Sequence, residues 1–229
     1  MIYVTGDTHR KFERVQDFCE KMKTSTDDVL IILGDAGINY HLDESDVNLK
    51  QVLSKLPITF FCIHGNHEAR PHTIGSYKEI TWRGGTVYIE PKYPNILFTK
   101  DGEIYDFDGK KTIVIGGAYS VDKEVRLVRG WMWFKDEQPG RWAKRRVEKQ
   151  LYDNNWTIDI VLSHTAPLKY EPTEVFIPWL DQNKVDKSTE FWLDTIENRL
   201  DYEKWYAGHY HTEKKIDKLE FMFNNFTEL

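Results

Sequence analysis

Cysteine is scarce in this sequence, and long apolar runs are missing. Only two of the 229 residues are cysteine. Cys19 falls on a predicted helix face and Cys62 within a predicted strand, so we expect two buried, reduced thiols rather than a disulfide. No apolar run approaches the roughly 18 residues that a membrane-spanning helix needs, and the first residues lack the features of a signal peptide. We therefore expect a soluble, cytoplasmic protein with no membrane partner.

An excess of basic residues is also lacking. Lysine and arginine number 31, aspartate and glutamate 37, which gives a formal net charge of −6. This charge excludes the general positive potential with which many proteins attract nucleic acid or an anionic membrane. The basic residues of a predicted helix over residues 141–152 are therefore interpreted as a solvated helix face. A polyanionic substrate has to be held locally, by metal ions or a few arginines, and nucleic acid is expected only as a substrate.

The chain shows no sign of division into several domains. It has no internal repeat, low-complexity segment or linker. Its 229 residues are enough to bury one substantial core. We predict a single domain that spans residues 1–229.

Short apolar strands that end in glycine-flanked polar clusters recur along the chain. Residues 58–63 form one such strand, and it ends at Gly65-Asn66-His67-Glu68-Ala69-Arg70. The other predicted strands of this kind cover residues 1–5, 29–33, 158–162 and 204–207. Because the carboxyl ends of parallel strands lie on one edge of a sheet, we expect these polar clusters to meet.

The segments between these strands have other patterns. Apolar residues at helical spacing predict helices over residues 10–23, 45–53, 141–152 and 188–200. Short strand-like stretches separated by turns predict a second, partly antiparallel sheet over residues 77–119, and the tail at 212–226 is predicted to form a hairpin. Residues 121–140 are predicted to form a long loop, and residues 168–187 are irregular.

The polar residues at the strand ends form an unusual set. They are Asp7, His9, Asp35, Asn66, His67, His164, His209 and His211, and they include five of the eight histidines. A single Gly-Asp is more often a simple turn, and a single histidine more often a structural residue. The pairs Asp7/His9 and His209/His211 are more specific, because alternate residues of an extended segment point the same way. Imidazoles, carboxylates and one amide together indicate a metal site larger than one tetrahedral zinc requires.

These clusters, taken in order, resemble the motifs of the calcineurin-like metallophosphoesterases. The matching blocks are Gly6-Asp7-Thr8-His9, Gly34-Asp35, Gly65-Asn66-His67-Glu68, His164 and Gly208-His209-Tyr210-His211. The resemblance implies an α/β fold of four layers, an αββα sandwich of two mixed β-sheets flanked by helices. It also implies two divalent metal ions, most readily manganese or iron, with zinc or cobalt as alternatives. By the same resemblance, Asp7, His9 and His211 hold the first ion. Asn66, His164 and His209 hold the second, and Asp35 bridges both.

The resemblance further implies a reaction and a role for several cationic or titratable residues. Hydroxide that bridges the two ions attacks phosphorus in line with the leaving oxygen. His67 protonates the leaving alkoxide or stabilises charge on the phosphoryl oxygens. Arg70, at the end of the third block, is expected to contact phosphate, with a surface salt bridge as the alternative. Arg10 stands where the family usually has glycine and faces either substrate or solvent, and Arg126 is a further candidate for substrate binding.

The expected function is hydrolysis of a phosphomonoester, either a phosphoprotein or a small phosphorylated metabolite. Phosphodiesterases and nucleases of the same family are the alternatives, and the acidic composition disfavours a nuclease. A non-catalytic scaffold on this fold is a third alternative, against which the presence of His67 and all the expected ligands argues. Substrate specificity is expected to lie in the loops at residues 120–140 and 168–187.

Overall fold

The computed structural model describes all residues from 1 to 229 and contains two mixed sheets. The strands of the first sheet are β1 (Ile2–Thr5), β2 (Val29–Ile32), β3 (Thr59–Cys62), β4 (Lys78–Trp82), β5 (Gly85–Ile89), β6 (Ile96–Thr99) and β13 (Thr227–Glu228). Their order is β13-β1-β2-β3-β6-β5-β4. The four strands β1, β2, β3 and β6 run parallel, and the remaining three pair antiparallel at the two edges.

The second sheet repeats this arrangement with a parallel centre. Its strands are β7 (Ile104–Phe107), β8 (Lys110–Ile115), β9 (Thr157–Ser163), β10 (Asp201–Ala207), β11 (Lys214–Ile216) and β12 (Leu219–Phe221). In the order β11-β12-β10-β9-β8-β7, the strands β12, β10, β9 and β8 are parallel, and β7 and β11 are antiparallel edges. The helices are α1 (Glu13–Met22), α2 (Glu44–Leu53), α3 (Lys123–Arg129), α4 (Arg141–Asp153) and α5 (Ser188–Glu197).

Three apolar clusters separate four layers. The central cluster lies between the sheets and joins residues such as Ile31 and Phe61 of the first sheet to Val114 and Leu162 of the second. A second cluster packs α1 and α2 against the outer face of the first sheet, and a third packs α4 and α5 against the second sheet. The strands alternate between these clusters because successive side chains of a strand point to opposite faces. The predicted αββα fold is therefore confirmed.

The alternation is clear in β1. Ile2 and Val4 face the core between the sheets, whereas Tyr3 faces the helical layer. Both cysteines are buried and unpaired in the cluster beneath α1 and α2, as predicted. None of the helices combines the length and the apolar character that crossing a membrane would take.

Two elements differ from the sequence prediction. Residues 77–119 do not form a sheet of their own, because β6 pairs in parallel with β3 and carries β5 and β4 into the first sheet. Residues 121–140 are not loop throughout, since they contain α3. This short helix leaves Val125, Leu127 and Val128 exposed, so its sequence has no amphipathic period that would have predicted it.

The packing of the core between the sheets leads to one prediction about stability. Phe61 has no exposed surface, and its ring makes edge contacts with Tyr105 at 4.8 Å and Phe107 at 5.3 Å between centroids. We expect Phe61→Ala to lower the free energy of unfolding by about 3–5 kcal/mol, because it leaves a cavity in a close-packed core. Urea unfolding followed by circular dichroism measures this change. Phe191→Ala is the matched control, since Phe191 on α5 is 59% exposed; equal losses for the two variants would contradict the packing described here.

Candidate active site

The two sheets deliver their polar strand ends to one cavity. Asp7 and His9 follow β1, Asp35 follows β2, and Asn66 and His67 follow β3. From the second sheet, His164 follows β9, and His209 and His211 follow β10. The parallel centres of the sheets place these turns on the same rim, so the structure brings together all the candidate metal ligands.

The ligand atoms converge at short distances. The Nε2 atoms of His9 and His211 lie 2.8 Å apart, and Asp7 Oδ2 lies 3.7 Å from the first and 3.3 Å from the second. Deeper in the cavity, His164 Nε2 lies 2.8 Å from Asn66 Oδ1 and 3.7 Å from Asp35 Oδ1. Asp35 Oδ2 lies 3.9 Å from His9 Nε2, so Asp35 is placed between the two groups.

The geometry and chemistry of these atoms fit bound cations. Asp7 Oδ2 is buried without a well-aligned hydrogen bond, its nearest donors being the imidazole nitrogens of His211 at 3.3 Å and His9 at 3.7 Å. A buried carboxylate oxygen in this state is costly unless a positive charge neutralises it. Three sets of carboxylate and imidazole groups have ligand atoms within 4.8 Å of one another: Asp7/His9/His211, His9/Asp35/His67 and Asp7/Asp35/His164. Mixed nitrogen and oxygen donors in such sets suit divalent transition metals.

Glycines are required at the strand ends because ligands occupy the space that a side chain would fill. A Cβ atom on Gly65 would lie 2.0 Å from Asp35 Oδ1, and one on Gly208 would lie 2.5 Å from Asp7 Oδ1. The carboxylates therefore pack directly against the backbone of a neighbouring strand end. This close approach explains the glycines at positions 65 and 208, whereas a Cβ atom on Gly6 would lie 2.1 Å from the Met222 carbonyl oxygen.

The ligand turns also use strained backbone. His9, Asp35, His209 and His211 all have positive φ values, between 45° and 67°. Such values are uncommon for residues other than glycine and cluster at functional sites. Hydrogen bonds hold the turns in place: the backbone N–H of His9 donates to Asp35 O at 2.8 Å, and that of His209 donates to Asp7 Oδ1 at 3.0 Å.

Burial sets the protonation of the deepest groups. Burial, reinforced by the charge of His164, lowers the pKa of His209 to about 3. His209 is therefore neutral near pH 7, which is the form that binds metal. Burial raises the pKa of Asp35, but the charges of His164 and His67 outweigh it and hold the pKa below its usual value. Both groups thus have the protonation state that a ligand needs.

Ser120 is a site residue that the sequence did not reveal. Its Oγ accepts a hydrogen bond of 2.9 Å from Asn66 Nδ2, which turns Asn66 Oδ1 toward His164. Ser120 lies in the turn that follows β8, a strand end with glycines but no carboxylate or histidine. The recurrence of a glycine turn at this strand end is the only signal that could have found it.

His67 lies beside this cluster and contacts Arg126. Arg126 Nη2 contacts His67 Nδ1 and lies 3.5 Å from Nε2. A guanidinium carries only donors, so His67 Nδ1 accepts and the ring proton resides on Nε2. Nε2 is 3.9 Å from Asp35 Oδ2. Burial lowers the pKa of His67, with Asp35 opposing and Arg126 reinforcing that effect. His67 is therefore a neutral imidazole with its N–H in the cavity.

Arg126 itself is buried, and each of its three nitrogens contacts a protein group. Besides the contact of Nη2 with His67, its Nε donates to Asp122 Oδ1 at 2.7 Å, and its Nη1 donates to Tyr40 Oη and to the Met132 carbonyl, both at 3.1 Å. The sequence makes Arg126 a candidate for substrate binding. In the structure the protein itself engages the guanidinium, and one of its nitrogens contacts His67.

The other two candidate arginines do not reach the cavity. Arg70 forms a 2.6 Å ion pair with Asp101 and donates to the Asp136 carbonyl at 2.9 Å, on the wall of a separate cavity. Arg10 pairs with Asp46 and donates to Ser45 Oγ at 2.7 Å. In each case a nearby carboxylate neutralises the guanidinium, so the expected phosphate contact of Arg70 is replaced by a largely buried ion pair.

The site opens into a larger space. The cavity has a volume of about 440 Å³, and its wall includes His9, Asp35, Asn66, His67, His209 and His211. It continues past these residues between the segments at 119–122 and 171–190. Its volume is within the range of small-molecule sites, which run from roughly 300 to 1,000 Å³.

Comparisons with known proteins agree with this geometry. The family model for calcineurin-like phosphoesterases matches residues 1–213. One solved structure shares 14% identity with a TM-score of 0.52, covering 96% of this chain and 88% of its own. The protein TT1561 of Thermus thermophilus shares 12% identity with a TM-score of 0.53, covering 97% and 87%. These two structures show the same fold. No curated protein matches the sequence. The chain belongs to the calcineurin-like phosphoesterase family.

Proposed function

We propose that this member of the family is a phosphatase that hydrolyses a phosphomonoester, and that manganese or iron ions serve it. The observation that carries the proposal is the convergence of the candidate ligands: five of them line one cavity together with His67, and the ligand atoms of the other two, Asp7 and His164, lie within 4.8 Å of those of Asp35 behind its wall. Family membership makes the protein a metal-dependent phosphoesterase. The preference for a monoester over a nucleic-acid polymer rests on the net charge of −6 and on the wall of this cavity, whose one lysine or arginine, Lys187, is paired with Glu171.

The residues divide into two ligand groups. Asp7, His9 and His211 would hold one cation, Asn66, His164 and His209 the other, and Asp35 would bridge them. A pair of divalent cations supplies an activated water at neutral pH and positive charge for the phosphoryl oxygens. Ser120 keeps the amide oxygen of Asn66 directed at this pair.

His67 acts as a neutral hydrogen-bond donor. Its Nε2–H stabilises negative charge that develops on a phosphoryl or leaving oxygen. Full proton transfer from a neutral imidazole is unfavourable, so of the two roles that the resemblance implies, we propose charge stabilisation. Arg126 keeps the Nδ1 atom unprotonated and the ring oriented. Because His67 does not transfer its proton fully to the leaving oxygen, we expect the enzyme to favour esters with an acidic leaving group.

A substrate panel tests the proposed function. We expect the manganese-loaded protein to hydrolyse 4-nitrophenyl phosphate, to lose this activity on chelation and to regain it with manganese. Bis(4-nitrophenyl) phosphate, a phosphopeptide and single-stranded DNA are the other substrates to assay. Faster hydrolysis of the diester or of DNA would show that the protein is a phosphodiesterase or nuclease rather than a phosphomonoesterase. No hydrolysis of any substrate would contradict the proposal that it is an enzyme.

The role of His67 is tested by its removal. We expect His67→Ala to lower kcat roughly 10²- to 10³-fold, the usual cost of deleting one donor to transition-state charge. Metal analysis should find the same metal content as in the parent, because His67 is not a proposed ligand. His72→Ala, which changes an exposed histidine five residues further along, is the control. A fully active His67→Ala variant would contradict the donor role.

The proposed role of Arg126 in positioning His67 can be tested separately. We expect Arg126→Met to lower kcat by roughly 10- to 100-fold, as is typical for groups that orient site residues, with little change in KM. The physical reason is that Nδ1 becomes free to carry the proton and the ring becomes free to rotate. Arg129→Met is the matched control, since Arg129 lies on the same helix and is exposed. A rise in KM with unchanged kcat would instead show that Arg126 binds substrate.

A further inference from the structure

We propose that the cavity holds a specificity site for the organic part of the substrate, and that Glu190 there selects a ring-bearing group with an N–H donor or positive charge over an anionic one. We call this part of the cavity the side chamber. It is lined by Val175, Phe176, Ile177, Leu180, Val185 and Tyr210. The inference rests on the proposed function and names the chemical class of its substrate.

The side chamber is continuous with the ligand cluster. Tyr210 stands between two candidate ligands, His209 and His211, and lines the same cavity as both. A group attached to a phosphoryl unit at the ligands is therefore next to the side chamber. The cavity, at about 440 Å³, has room for more than a phosphoryl group.

The walls of the side chamber suit a flat, apolar group. The rings of Phe176 and Tyr210 are near parallel, with an angle of 17° between their planes and 6.2 Å between their centroids. Aliphatic side chains of the 175–185 segment supply the rest of the apolar wall. Burying an aromatic ring against such surfaces is favourable through the hydrophobic effect and ring–ring contacts.

Glu190 supplies an unsatisfied acceptor. Its side chain lines the cavity although the residue is only 4% exposed. Glu190 Oε1 accepts a hydrogen bond from Thr165 Oγ1 at 2.8 Å, whereas Oε2 is buried without a partner. Burial raises the pKa of Glu190 to about 7, so above that pH the group is a carboxylate and Oε2 is an acceptor. A buried acceptor without a partner is destabilising, and a donor on a bound ligand would relieve that cost. Ligands with such a donor are therefore preferred.

The charge balance of the side chamber points the same way. Glu171 and Glu190 are both on its wall, and the single lysine there, Lys187, is paired with Glu171 at 2.7 Å. No unpaired cation faces the space, so a carboxylate or a second phosphate on the leaving group finds no positive partner there. The proposed preference for acidic leaving groups points to the same substrates. An aryl ester has an acidic leaving group and also a flat ring that fits the side chamber.

Three phenyl phosphates with matched rings test the inference. They are phenyl phosphate, 4-(aminomethyl)phenyl phosphate and 4-(carboxymethyl)phenyl phosphate, assayed with the manganese-loaded enzyme above pH 7, where Glu190 is ionised. We expect kcat/KM for the aminomethyl ester to exceed that for the carboxymethyl ester by roughly 10- to 100-fold, the range for one hydrogen bond to a charged group. The difference should lie mainly in KM, because it arises from binding.

Substitutions in the side chamber test whether it causes the preference for the aminomethyl ester. Glu190→Gln should bring the ratio of the two charged esters close to one. Leu180→Ala should raise KM for all three esters by roughly tenfold, through lost apolar contact. Glu174→Gln is the matched control, because Glu174 is exposed on the same segment and pairs with Lys214; it should keep the parent ratio. Circular dichroism of each variant verifies that it folds.

The outcomes separate this inference from the proposed function. Equal kcat/KM for the aminomethyl and carboxymethyl esters in the parent would overturn the inference and leave the phosphatase intact. A preference for the aminomethyl ester that survives in Glu190→Gln would overturn the role of Glu190. If Glu190→Gln does not fold, an unchanged KM in Leu180→Ala would overturn the proposal that the side chamber binds the organic part of the substrate. Failure to hydrolyse any ester would overturn both proposals.

Discussion

Two buried carboxylates, Asp7 and Asp35, impose the main constraint on this structure. Both are almost fully buried at the rim where two sheets meet. Charges of the same sign so deep in a protein are tolerated only when nearby groups compensate them. We infer that bound cations provide that compensation, with the surrounding imidazoles as their further ligands. The glycines at the strand ends and the positive φ values of the ligand turns follow from bringing these carboxylates so close together.

The arrangement of arginines gives this family member its own character. Each of the three arginines that the sequence made candidates is bound to a carboxylate of the protein: Arg10 to Asp46, Arg70 to Asp101 and Arg126 to Asp122. Each of these guanidinium groups is therefore neutralised by the protein itself, and that of Arg126 also contacts His67. In the function proposed here, cations recognise the phosphoryl group and the side chamber recognises the rest of the substrate.

Helix α3 lies beside the candidate active site, although its sequence predicts neither the helix nor this position. It carries Arg126, which reaches across to His67 from a segment that lies far from it in the chain. The exposed apolar residues of this helix have no periodic pattern, so the sequence predicts a loop over residues 121–140. Similarly, β6 joins the first sheet because it pairs with β3, a choice that local patterns of alternation do not encode.

The sequence by itself determined the fold, the family and the candidate ligands, because each strand end combines an apolar run, a glycine and a metal-binding side chain within a few adjacent residues. Tertiary structure alone decided which partner each side chain meets. Asp101 pairs with Arg70, Ser120 orients Asn66, and Arg126 fixes the tautomer of His67. Glu190 is left with a bare oxygen beside an apolar chamber for the same reason. Such contacts join residues 31 to 59 positions apart, and their geometry depends on how two sheets pack rather than on any local pattern.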